Sequence, residues 1–206
     1  MRILLVVTFI ILLFSCRERQ IPRDGRGSVG EVPGHVTLSL EEMLLQSIQQ
    51  IQAIPLTGDP EYDLTGFLSI HLKTGFAMTD ALIRRAQNTQ IVARARQTKI
   101  SHEEEARFWG QQFEKRVPQR SIKELNKDLR SFLKKAETEI REFDEEGNID
   151  DHFQPLVTMH HRQVIQLAEL VIKYSNEDGL VARAKETIEK QEKGMEGLDD
   201  EIYQGL

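Results

Sequence analysis

The second half of this 206-residue chain repeats the first at a constant offset of 89 residues, with no gap. Leu40 pairs with Leu129, Leu44 with Leu133 and Ile51 with Ile140. Gly58 falls on Gly147, and His71 on His160. Val92-Ala93-Arg94-Ala95 recurs as Val181-Ala182-Arg183-Ala184, followed in register by Thr98 with Thr187 and Glu103 with Glu192. Conservative pairs continue the match, among them Glu61 with Asp150, Asp80 with Glu169 and Arg96 with Lys185. Helical patterning alone produces chance matches. A tetrapeptide, a breaker glycine and a histidine sharing one ungapped register point instead to an internal duplication.

Apolar residues from position 39 onward recur at helical spacing. Ser39 precedes a helix carrying Leu40, Met43, Leu44, Ser47, Ile48 and Ile51 on one side, and Pro55 and Gly58-Asp59-Pro60 break it. A second helix is expected from about Tyr62 to Gln87 and a third from about Ile91 to Phe113, with Pro118 closing that stretch. Ser121 opens a long charged helix to about Phe143, Glu145 to Asn148 interrupt it, and two more helices follow with a turn near Asn176 to Gly179. The repeats thus cover about 40–117 and 129–206. Two helical hairpins about a pseudo-two-fold axis predict an all-α four-helix bundle, each unit adding an extra N-terminal helix.

The net charge of -6 argues against nucleic acid, which demands clustered excess Lys and Arg. A single cysteine rules out an internal disulfide or a multi-cysteine metal site. That cysteine, Cys16, closes an apolar run from Ile3 to Phe14 that follows Arg2. The run is shorter than the roughly 20 residues of a spanning helix and suits a signal peptide. With Leu13 and Ser15 before it, Cys16 resembles the lipidated residue of a bacterial lipobox, the other reading being a plain signal peptide. Residues 1–16 are therefore expected to be a lipoprotein signal peptide with its acylated cysteine, residues 17–38 a flexible tether, and residues 39–206 the helical domain. Arg17 after the cysteine implies sorting to the outer membrane, facing the periplasm.

Two inward stripes carry candidate chemistry. Phe153, Val157, His160, Val164, Leu167 and Val171 form a seam at spacings of four and three, matched by Leu64, Leu68, His71, Gly75, Met78 and Leu82. The following helices present Ala95, Lys99, His102, Ala106 and Trp109, and Ala184, Ile188, Gln191, Met195 and Leu198. With a turn near residue 88, His71 stands within about one helical turn of His102, and His160 is near Gln191 by the same reasoning. His71, His102, His160 and Gln191 are expected to share one layer, with Met78, Met159, His161 and Met195 nearby. Imidazole suits copper, zinc, iron and nickel, and thioether favours Cu(I). The bland reading is hydrogen-bonded core histidines and methionine filler. Adjacent His160 and His161 predict one inward ring and one peripheral ring.

Thr57-Gly58-Asp59-Pro60-Glu61-Tyr62-Asp63-Leu64, with His71 and Met78 beyond it, resembles the signature of the domain of unknown function 305 family. Asp150, Phe153, His160-His161, Ile165, Ala168 and the later Gln191 extend the resemblance over about residues 40–206. That family is ferritin-like and includes periplasmic copper-binding proteins. Five departures stand out: Leu72 where the first unit's second histidine belongs, Leu68 and Val157 in place of methionine, Gly194 in place of a glutamate, and His102 in place of a glutamine.

The resulting expectation is a lipid-anchored metal-binding protein, with copper as the cofactor, that buffers, delivers or senses the metal. Its expected ligands are His71, His160 and His161, with His102, Met78, Met159 and Met195 as further candidates. Glu105, Glu169 or Gln191 would orient an imidazole from behind. The alternative is a scaffold or partner-binding lipoprotein whose metal site has decayed. Protein partners and oligomeric state, a homo-oligomer included, stay open. No enzymatic role is expected, because the seam lacks the Glu-x-x-His of di-iron bundles, and no nucleophile–base pair or phosphate loop occurs.

Overall fold

A computed structural model describes residues 38–143 and 146–199. The expected leader, Cys16 and nearly all of the tether lie outside these residues. Among the described residues there are six helices and no strand: α1 Leu40–Gln52, α2 Pro60–Arg85, α3 Thr89–Glu114, α4 Lys123–Arg141, α5 Ile149–Tyr174 and α6 Asp178–Asp199. None of them is long and apolar enough to cross a membrane.

The helix ends follow from local chemistry. Ser39 and Glu42 form a capping box before α1: the Ser39 hydroxyl accepts from the Glu42 amide, and the Glu42 carboxylate accepts from the Ser39 amide. Asn148 and Asp151 do the same for α5. Asn88 caps α3, and Asp59 caps α2 with Pro60 in its first turn. Ser121, the expected start of α4, does not cap it. The cap falls on Ile122, whose amide donates to the Gly58 carbonyl at 2.8 Å.

The boundaries recur with the sequence offset. α2 and α5 each span 26 residues and start 89 apart, α3 and α6 also start 89 apart, and α1 and α4 end 89 apart. Gly58 and Gly147 are the glycines with positive φ among the described residues, at 81° and 124°. α2 packs on α3, α5 on α6, and α2 on α5, with α1 laid against α2 and α4. The core between them is continuous, from Leu44, Ile48 and Ile51 of α1 through Leu64, Leu68 and Leu82 of α2 to Val164, Leu167 and Val171 of α5. Lys99, the polar residue on the α3 stripe, sits at its edge and pairs with Asp80 at 2.5 Å.

Acidic side chains tie the loops together. Asp63, almost fully buried, accepts from the amides of Thr57 and Gly58 and from the Thr57 hydroxyl. The second oxygen of Asp59 accepts from the amides of Gln119 and Arg120 at 2.7 and 3.0 Å, holding the segment before α4. Glu61 accepts from the Ser175 hydroxyl and the Asn176 amide, both at 2.9 Å, in the α5–α6 turn. Asp150 returns the contact, accepting from the amides of Gln87 at 3.2 Å and Asn88 at 3.0 Å in the α2–α3 turn. Asp59→Ala is expected to cost about 2 kcal/mol, as one substitution removes a helix cap and the acceptor of two more amides. A urea midpoint checks this; an unchanged midpoint would mean that water replaces the carboxylate without loss.

Candidate metal centre

Halfway along the core, four buried histidines meet. His71 lies on α2, His102 on α3, and His160 and His161 on α5, and none is more than 3% exposed. The rings of His71 and His160, 89 residues apart in the chain, stack with centroids 4.6 Å apart and planes inclined by 20°. His102 meets His160 edge-on at 4.7 Å and His161 at 5.3 Å. His102, His160 and His161 each offer a ligand atom within 4.8 Å of the others. His71 adjoins this trio through its stack on His160.

Both adjacent histidines are inward, against the expectation of one peripheral ring. Covered faces on two sides of α5 explain this. His160 turns toward α2, while His161 reaches Gly194 of α6 and His102 of α3. Two glycines clear the space. A methyl group on Gly75 would lie 2.7 Å from both His102 Nδ1 and His160 Nε2, and one on Gly194 would lie 2.9 Å from His161 Cε1. Gly194 is therefore the clearance for an imidazole.

The hydrogen bonds set one tautomer. His160 Nε2 donates to the His71 carbonyl at 2.9 Å; a carbonyl only accepts, so this nitrogen carries the proton and Nδ1 keeps its lone pair. An imidazole anchored to a backbone carbonyl with its other nitrogen open has the arrangement of a metal ligand. His71 Nδ1 is 3.0 Å from the Ser47 hydroxyl. Nδ1 of His160 and His161, Nε2 of His71 and both nitrogens of His102 are buried without a hydrogen-bond partner. So are the Gln163 amide and the Gln191 carbonyl oxygen. Gln163 lies beside His71 and Gln191 beside His102, each favouring the cation, but neither forms a hydrogen bond of regular geometry with it.

Burial pushes His71 down to about 3, with the neighbouring His102 adding to the effect. It pushes His161 to about 3, again with help from His102, and His102 to about 4 against the pull of Glu105. His160 falls well below the ordinary imidazole range through burial and three neighbouring rings. All four are therefore neutral at pH 7, the protonation state that binds metal.

The other candidates are scattered. Met78 is fully buried on α2, one turn beyond Gly75. Met195, half-buried, follows Gly194. Met159 lines a surface hollow with Pro155 and Arg162, away from the rings. Glu169 is exposed and lines another hollow with Asp128 and Lys173, so it orients no imidazole. Glu105, fully buried, faces α6 instead: it pairs with Arg183, accepts from Lys190 at 2.9 Å and binds the Thr187 hydroxyl. Helical spacing puts Met159, Glu169 and Glu105 near the right level but not on the right face.

Ser47, Gly75, Gln163 and Gly194 shape the site without having been candidates. A serine on the α1 apolar stripe and a glutamine three residues after His160 were the visible signals for two of them. No protein-family model matches the chain, nor does any curated protein or solved structure.

Proposed function

We propose that this chain is an exported, lipid-anchored protein that binds one transition-metal ion, copper foremost, as a chaperone, buffer or sensor. The observation that carries the reading is the trio His102, His160 and His161, buried and uncharged, with ligand atoms within 4.8 Å and at least one nitrogen of each ring lacking any other partner. A bound ion takes one nitrogen from each of these three rings, and leaving such buried nitrogens unsatisfied costs about 1–3 kcal/mol each. A donor set of neutral imidazoles without a carboxylate suits Cu, Zn, Ni or Fe rather than Mg or Ca, and copper heads the affinity order. Met78 and Met195 are the thioethers available for Cu(I).

On this reading the domain is a duplicated, ferritin-like four-helix bundle of α2, α3, α5 and α6, with α1 and α4 as the extra helix of each unit. The recurring boundaries and the reciprocal Glu61 and Asp150 contacts support it. The resemblance to the domain of unknown function 305 family agrees with both fold and metal. Cys16 would carry the lipid and hold the domain at the outer membrane, facing the periplasm.

The second reading, a scaffold with a decayed site, draws on the Ser47–His71 and His160–His71 hydrogen bonds, which also suit a polar core. Titrating the full-length, tag-free chain in detergent with Cu(I), Cu(II) and Zn(II) separates the two. One equivalent is expected to bind tighter than about micromolar, with at least ~100-fold loss in a His102→Ala, His160→Ala double variant that still melts cooperatively. Only weaker binding, or none, leaves the scaffold reading.

A further inference from the structure

Three imidazoles would leave a transition-metal ion at least one donor short of the four it usually takes, so the source of that donor decides what the metal can do. The α2 side is closed. His71 stacks on His160 there, and Gly75 has no room even for a methyl group. The opposite side is open. His102 and His161 line a groove of about 550 Å³ between α3 and α6. Gln191 lines the same groove, only 2% exposed, and its carbonyl oxygen lacks a partner. Arg94 and Lys193 of the wall balance Glu104 and Glu196, and Lys190 is tied to the buried Glu105.

We propose that this groove is the binding site for a small exogenous ligand, a water molecule displaceable by a small anion, which completes the coordination of the metal held by His102, His160 and His161. The inference rests on the metal-binding reading above and adds to it an open position. Gln191 is its positioning residue: its buried carbonyl oxygen accepts a hydrogen bond from a ligand that carries a proton, and its amide donates to one that does not. His102 is its equivalent in the repeat, so the two positions have diverged into a ligand and a partner for what the ligands leave exposed.

The test uses the full-length chain loaded with Cu(II) and titrated with azide. An azide-to-copper charge-transfer band that saturates is expected, together with a change in the Cu(II) electron paramagnetic resonance spectrum. Gln191→Met keeps volume and helix propensity but removes both amide groups. With copper saturating the site in both proteins, it is expected to shift the apparent water–azide exchange by about tenfold. A copper-loaded protein whose spectra ignore azide would overturn the open position while leaving the metal site intact. Absence of Cu(II) binding would overturn both. An azide response unchanged in Gln191→Met would remove Gln191 from the site.

Discussion

Acidifying the metal-free protein from pH 7.5 to 5 is expected to remove most of its stability. The cause is the group of four buried imidazoles. His71, His102 and His161 hold values of about 3, 4 and 3 in the fold, while an exposed histidine titrates near 6.5. Between those limits the unfolded chain binds protons that the folded chain refuses, so stability is full above pH 6.5 and falls as the pH drops. At pH 5 the difference is about 2 kcal/mol per histidine, or about 6 kcal/mol for these three. His160 acts in the same direction. A domain holds only about 5–15 kcal/mol in total. Thermal melts followed by far-ultraviolet circular dichroism should show a midpoint that falls steeply below pH 6.5. His161→Leu copies the residue at the equivalent position, Leu72, and should make that fall shallower. A midpoint independent of pH would show that the rings accept protons while folded.

Gly75→Ala is expected to abolish tight metal binding, by at least ~100-fold, since a misplaced ligand or supporting residue commonly costs 10–100-fold and here two rings move. The added methyl group cannot lie 2.7 Å from His102 Nδ1 and His160 Nε2, and pressing it in breaks the carbonyl bond that sets the His160 tautomer. Overpacking of this kind costs about 1–3 kcal/mol, set against about 1 kcal/mol gained from alanine in a helix. The net loss of stability is therefore small and the loss of affinity large. Gly179→Ala supplies the control, because nothing lies within 4 Å of its new methyl group. It should bind metal normally and melt at the same temperature or slightly higher. Normal Cu(II) affinity in Gly75→Ala would place the metal elsewhere.

Periodicity and breakers located the first four helices to within a few residues and the turn between the last two, because caps such as Ser39 with Glu42 and breaks such as Gly58 act locally. The shared level of His71 and His102 was legible for the same reason, since a turn near residue 88 determines which residues face each other across a hairpin, and the 89-residue offset placed His160 with His71. Side-chain direction across two helices was not. His161 is inward because Gly194, 33 residues later, leaves a hollow for it. Glu105 was assigned to the imidazoles but serves Arg183 and Lys190, and Glu169 lies on the outer face of α5. Each of these depends on which neighbour covers a face, and no single helix records that. The acidic signature from Thr57 to Asp63 is likewise spent on loop closure, with Asp59 and Asp63 accepting backbone amides.

The exchange of acidic residues between the two hairpin turns bears on how the chain assembles. Glu61 reaches Asn176 across 115 residues, and Asp150 reaches Gln87 across 63. Neither hairpin supplies its own latch. Each can zip locally, but its turn stays unlatched until the other arrives, so the closing step joins distant parts of the chain and comes late in folding. If the repeat arose by duplication, a free-standing ancestral unit would have closed only by meeting a second copy. Joining the copies in one chain replaced that bimolecular encounter with an intramolecular one, and freed the fold from dependence on its own concentration.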